Sequence, residues 1–223
     1  MFTVLEAKVV YALRTRRTVI IKADMHIHSN VSDGSASPKE IVQEAYYKGL
    51  NLISITDHDT FLGSIIAQKY GKDYDIIIVP GAEIATDNGD VLVYCIKPLS
   101  IIPRTLELLI RVAKENNCIL VPAHPFDENR NSIGDLIFEY QWDAIEVYNL
   151  NSSRKANEKA RRAAQILGVL GIGNSDAHRL EDMGKVYSEL RLLTNEYNIP
   201  SLNPYLIINC IREKSIQIKI IKT

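Results

Sequence analysis

Short β-branched runs alternate with helical stretches along most of this chain, and that alternation limits the fold more than any other feature. Thr18–Asp24 (TVIIKAD), Asn51–Thr56 (NLISIT), Ile76–Val79, Val91–Ile96, Cys118–Val121, Ala144–Tyr148 and Val169–Gly173 read as strands. Tyr187–Leu192 and Ser215–Ile221 add two more near the end. Helices are expected near Leu62–Tyr70, Pro103–Asn116, Ile133–Tyr140, Ser153–Leu167 and Pro204–Glu213. An earlier one is opened by Ser37-Pro38-Lys39-Glu40, a capping box with Pro at the first helical position, and stopped by Gly49. It places Ile41, Val42, Ala45 and Tyr46 on one face. Asp87-Asn88-Gly89-Asp90 is hairpin-turn chemistry ahead of Val91. Strands joined through helices pair side by side in parallel, so a mostly parallel α/β sheet is predicted, either open or closed into a barrel. No repeat, linker or composition break divides the chain, and one domain over residues 1–223 is expected.

The net charge of −1 argues against wholesale coating of nucleic acid while leaving room for a local phosphate site. No apolar run approaches the ~20 residues that cross a bilayer, so no membrane partner is expected. The short apolar patch at the N-terminus is broken by Glu6 and Lys8, with no small-residue cleavage site after it, against a secretory signal. Arg14, Arg16 and Arg17 read as a charged turn before the first strand. Cys95, Cys118 and Cys210 are odd in number and far apart, which suits a reducing cytosol and a cytoplasmic protein.

Every histidine lies at a predicted strand end. His26 and His28 follow the first strand, His58 the second, His124 the run Cys118–Val121, and His178 the run Val169–Gly173. Glu83 follows Ile76–Val79. In α/β barrels the strand C-termini converge on one face, where active sites form. In Asp24-Met25-His26-Ile27-His28 the period of two turns both imidazoles one way and Met25 and Ile27 the other. Such a pair can share a metal ion, or be two loop histidines. Asp57 and Asp59 flank His58 and could ligate metal, orient the imidazole or cap the next helix. Asp176 and His178 repeat the Asp-x-His spacing. Asp33, in Ser-Asp-Gly, and Asp90, after Gly89, read first as turn residues. Arg130 and Arg154 follow strand ends and could meet a phosphate, although basic residues at a surface are commonly just solvated. Imidazole with carboxylate and no thiolate is a ligand mix for Zn, Mn or Fe, and seven or more candidates exceed the needs of one ion. Two or three bridged divalent ions are therefore expected, suited to binding a phosphoryl oxygen and activating water as hydroxide.

These segments resemble the PHP family, named for polymerase and histidinol phosphatase. The matching motifs are DMHIHS (24–29), SDG (32–34), TDHDT (56–60), GAE (81–83), AHPF (123–126) and SDAH (175–178), in family order. The resemblance implies a distorted (β/α)7 barrel with a metal cluster at the C-terminal face of its strands. It further implies that His26, His28, Asp33, His58, Glu83, His124, Asp176 and His178 are ligands, with Glu83 bridging two ions. Relatives often carry His where this chain has Asp90, so Asp90 is the candidate ligand for a third ion. The expected function is metal-dependent hydrolysis of a small phosphate monoester of nucleotide, sugar phosphate or histidinol phosphate type. Asp176 or a neighbouring carboxylate would orient the nucleophile, and His178 or His58 would protonate the leaving oxygen. The alternatives are a phosphodiesterase or exonuclease acting on nucleic acid, and a non-catalytic metal-stabilised barrel subunit.

Overall fold

The computed structural model describes residues 17–194, 204–214 and 217–223. The N-terminal apolar patch, Arg14 and Arg16, and the first two residues of the predicted strand Ser215–Ile221 lie outside them. Ten strands are described: β1 Arg17–Ile27, β2 Leu52–Ile55, β3 Ile77–Ile78, β4 Gly81–Thr86, β5 Gly89–Tyr94, β6 Ile119–Pro122, β7 Ala144–Asn149, β8 Leu170–Asn174, β9 Val186–Thr194 and β10 Gln217–Lys222. The helices are α1 Pro38–Tyr47, α2 Leu62–Gly71, α3 Leu106–Glu115, α4 Arg154–Leu167 and α5 Pro204–Arg212. The capping box forms as predicted: Ser37 Oγ accepts from Glu40 N, and Glu40 Oε2 accepts from Ser37 N. The helix expected near Ile133–Tyr140 is instead a 3-10 segment, Gly134–Phe138, opened at Gly134 with φ +58°.

The sheet is mixed rather than mostly parallel. β1–β2, β2–β3 and β7–β8 pair in parallel, whereas β4–β5, β5–β6, β1–β9 and β9–β10 are antiparallel. Connection length explains the difference. Asp87 and Asn88 alone join β4 to β5, with Thr86 opposite Gly89, and two residues permit only a hairpin. The ladders divide into three sheets, β10-β9-β1-β2-β3, β4-β5-β6 and β7-β8, so the described strands do not form one continuous closed barrel. Isolated bridges pair Ile27 with Ala177 and His58 with Glu83 across the gaps. The sheets nonetheless share one core, in which Met25, Leu52, Val79, Leu92, Val121 and Ile172 meet with α5. A second cluster lies beneath α3 and α4, and a third beneath α1 and α2.

Two irregularities re-aim side chains at the site. Asp24 pairs with Ile53 and Ile27 with Ile55, so β1 carries one extra residue between them. Met25 and Ile27 consequently do not share one side as the alternation predicted: Met25 joins the inner core and Ile27 the cluster under α1 and α2. β7 has a similar irregularity between Glu146 and Tyr148.

The cysteines also depart from expectation. Cys95 and Cys118, at the ends of the β5–β6 ladder, face each other with Cα atoms 4.3 Å apart and form a disulfide. Antiparallel register brings together residues 23 positions apart, which spacing alone did not reveal. This removes the cysteine argument for a reducing cytosol. Among the described residues, no helix is long and apolar enough to cross a membrane.

Candidate metal centre

All nine sequence-predicted ligands converge. Potential ligand atoms fall into three groups, each with its atoms within 4.8 Å of one another: His28, Asp33, His58 and His178; His26, His28 and Asp176; and Glu83, Asp90 and His124. Strand ends supply most of them. His26 and His28 close β1, Glu83 sits within β4, Asp90 within β5, and His124 follows β6. Asp176 and His178 follow β8. Glu83 is therefore not just past a strand, as expected, but inside one that the sequence did not signal.

Glu83 is the hub. Its Oε2 lies 3.2 Å from Nε2 of His26 and of His28 and 3.5 Å from His58 Nδ1, while its Oε1 lies 2.9 Å from His124 Nε2. Asp176 Oδ1 is 3.4 Å from His26 Nε2 and 3.3 Å from His28 Nε2. Asp33 faces His28, His58 and His178 at 3.3 to 3.5 Å, so the Ser-Asp-Gly segment reaches the centre as well as turning the chain. Asp90 Oδ2 stands 4.0 Å from His124 Nε2. Three residues here have left-handed backbones without being glycine: Asp59, His124 and Asp176. Such conformations persist only where the surroundings hold them.

Asp57 and Asp59 do other work. Asp57 is fully buried and accepts from Ser29 N, Ser29 Oγ and Ser32 Oγ, shaping the loop that carries Asp33. Asp59 pairs with Arg104 and accepts from Ala85 N. Neither caps α2, whose first N–H, that of Leu62, meets Thr60 Oγ1 instead. Arg130 donates to Asp176 Oδ2, so this predicted phosphate contact is at the centre. Arg154 is exposed at the start of α4, in a surface cleft with Lys155, Glu158, Lys159 and Arg162.

Glu146 was not predicted. It is buried in β7, and its Oε1 faces His26 Nδ1 at 3.0 Å while accepting from Asn174 Nδ2. Its Oε2 accepts from the His124 backbone N–H and from Asn149 Nδ2. A lone Glu in a run of β-branched residues carries little signal. Its pairing with His26 Nδ1 fixes the ring so that Nε2 faces the cluster.

The donor set fits divalent ions. Glu83, Glu146 and Asp176 are buried together, and among the described residues Arg130 is the one permanent cation bonded to this cluster. His124 Nδ1 and Asp176 Oδ1 are buried without a hydrogen-bond partner. Buried anionic oxygens in such number need cationic charge beside them. The imidazoles show the same imbalance. Burial disfavours protonated His26, yet Asp176, Glu83 and Glu146 outweigh it and raise its pKa well above the ordinary value. His28 is pushed up to about 9 by the same contest of burial against Asp176 and Glu83. Burial acts upward on Glu83 and Asp176, but His26 and the neighbouring imidazoles hold both below the usual carboxylate range. Asp90 is raised, by burial and by the charge of Glu83.

The PHP domain model matches residues 24–167, and the PHP-associated model matches residues 154–200. The chain belongs to the PHP family. Proteins described as PHP-like metal-dependent phosphoesterases are among the solved structures that share its fold. An uncharacterized protein of Methanocaldococcus jannaschii, MJ1587, is 31% identical over a 142-residue alignment that covers 58% of this chain and 82% of that one. A 5′-3′ exoribonuclease of Haemophilus influenzae is 42% identical over 66 residues, 30% of this chain but 24% of that protein. A two-domain protein of Bacteroides vulgatus containing a predicted PHP-like metal-dependent phosphoesterase matches with a TM-score of 0.71 at 20% identity. That match covers 92% of this chain and 65% of the Bacteroides chain, and at this identity it shows the shared mixed α/β fold.

Proposed function

We propose that this PHP protein hydrolyses a small phosphate monoester, of nucleotide, sugar phosphate or histidinol phosphate type, at a centre of two or three divalent ions. His26, His28, Asp33, His58, Glu83, His124, Asp176 and His178 would hold Mn, Zn or Fe, with Asp90 completing the third position. The observation that carries the reading is Glu83, whose two oxygens serve different imidazoles and so suit a bridging carboxylate. When bound, the ions would polarise the phosphoryl group and activate water for attack.

The chain's own groups divide the remaining work. Arg130, half-buried beside Asp176, is placed to turn its guanidinium from that carboxylate to a phosphate oxygen. Asp176, nearly fully buried, orients the nucleophile. His58 and His178 reach solvent at the rim, and one of them, its Nε2 not bound to an ion, would hand a proton from that nitrogen to the leaving oxygen. The distorted (β/α)7 barrel remains part of this reading on one ground, the core that strands of all three sheets share.

A second reading, phosphodiester cleavage in nucleic acid, is favoured by one observation. Adjoining surface clefts hold Arg130, Lys159, Lys155, Arg154 and Arg162, interspersed with Asp127, Glu128, Asp135 and Glu158. Basic residues in such clefts suit a polyphosphate backbone. A phosphate-release screen over nucleotides, sugar phosphates and histidinol phosphate with added Mn²⁺ separates the two. Release from one monoester class is expected. Degradation of a single-stranded oligonucleotide with no monoester turned over would replace the first reading by the second.

A further inference from the structure

Asp176 and His178 lie in the connection of residues 175–185 between β8 and β9, and that connection is pinned from outside. Asp24 holds both ends: Oδ1 accepts from Ser175 N, and Oδ2 accepts from Ser175 Oγ and Gly184 N. Near the middle, His28 N donates to Ala177 O, and Ser35 donates to His178 O through both N and Oγ. The stretch beyond His178 has a different anchor. Lys48, at the C-cap of α1, sends its ammonium to Leu180 O at 2.8 Å, Met183 O at 2.8 Å and Glu181 O at 3.2 Å.

An ammonium has three N–H donors and no acceptor. Here all three are spent on backbone carbonyls of one short turn, and Glu44 stands 3.5 Å from Nζ. The side chain is only about a quarter exposed, so this is no loose surface lysine. A compact point charge can draw three carbonyl dipoles onto one spot, which a planar guanidinium cannot do. The turn thus drawn in follows directly on His178, and Asp176 has φ +50° and needs external restraint to keep it.

We propose that Lys48 is a positioning residue for the metal centre: by gathering the carbonyls of Leu180, Glu181 and Met183 onto its ammonium, it holds Asp176 and His178 where they can ligate. The proposal rests on the reading of those two residues as ligands. It assigns Lys48 no contact with metal or substrate. Its effect falls on the two ligand groups that contain Asp176 or His178, and the group of Glu83, Asp90 and His124, carried by other strands, is spared.

The test compares wild type with Lys48→Met and Lys48→Arg, using Mn²⁺ binding by calorimetry and hydrogen exchange of the metal-free chain. In Lys48→Met, at least one Mn²⁺ is expected to bind about tenfold more weakly, the scale for residues that orient ligands. Exchange should rise in residues 175–185 and stay unchanged in β4 and β5. Lys48→Arg should recover part of the affinity. Unaltered Mn²⁺ affinity in Lys48→Met would overturn the proposal. So would weakened binding accompanied by faster exchange across the whole chain, which marks a general loss of stability. Wild type that binds no Mn²⁺ would refute the metal reading, and the positioning role with it.

Discussion

His26 and His178 belong to one cluster, yet the first has no exposed surface and the second is about a third exposed. His26 is fixed on both sides, by Glu146 at Nδ1 and by Glu83 and Asp176 at Nε2. His178 faces Asp33, itself half exposed, in a rim built on loops. The floor is held by burial and by hydrogen bonds to side chains that are themselves bonded. The rim is held through backbone anchors and keeps access to water. A preformed floor lowers the ordering cost of binding an ion, and an open rim lets ion and substrate enter.

The largest effect should follow from damage to the floor. His26→Ala with His28→Ala is expected to lower bound metal and abolish phosphate release while the circular dichroism stays native. His58→Ala, at the rim, should lose less metal. Undiminished metal in the double variant by elemental analysis would refute the ligand assignment, and equal losses in both would erase the distinction between floor and rim.

Next in size is Glu146→Ala. It strips a partner from His26 Nδ1, from the His124 N–H, and from Asn149 and Asn174 at once. Metal affinity is expected to fall about 10- to 100-fold, and the melting temperature of the metal-free protein should drop, because buried donors lose their acceptor. Titration with Mn²⁺ and a thermal melt check both. An affinity equal to wild type would show that the floor does not depend on this carboxylate.

Asp90→Ala should have the smallest effect of the three. Asn131 Nδ2 holds Asp90 Oδ1 at 2.7 Å, which leaves Oδ2 toward His124. The variant is expected to raise the metal concentration needed for activity more than it lowers the saturated rate, and Asp90→His should shift preference toward Zn²⁺, since carboxylate favours harder ions. Activity measured across Mn²⁺ and Zn²⁺ titrations decides it. No change in either metal dependence or rate would leave Asp90 as a turn residue.

Much of the centre was legible because its histidines follow β-branched runs, and strand ends are where such clusters gather. What remained hidden depended on pairing across the chain. Gly81–Thr86 contains little β-branched character, so β4 emerges only through its register with β5. The Cys95–Cys118 bridge exists because Tyr94 stands opposite Ile119. Glu146 looks like any strand residue until the fold brings it to His26. The extra residue in β1 is likewise invisible in DMHIH, although it sends Met25 and Ile27 to different clusters.

The two-residue turn between β4 and β5 sets how this family member can diversify. Ala85 stands opposite Asp90 and Glu83 opposite Leu92, so the two carboxylates share one face of the hairpin. Strand side chains alternate, so with a two-residue turn kept, deleting one residue would present Val91 where Asp90 now lies and inserting one would present Gly89. Gly89 tightens the constraint: with φ +129°, an added Cβ would sit 2.5 Å from Ile133 N. Length change is therefore nearly forbidden at this turn while point substitution at position 90 stays open. Descendants of such a chain would change the ligand offered at position 90 by exchanging one side chain, His for Asp or the reverse, and would place their insertions in other loops.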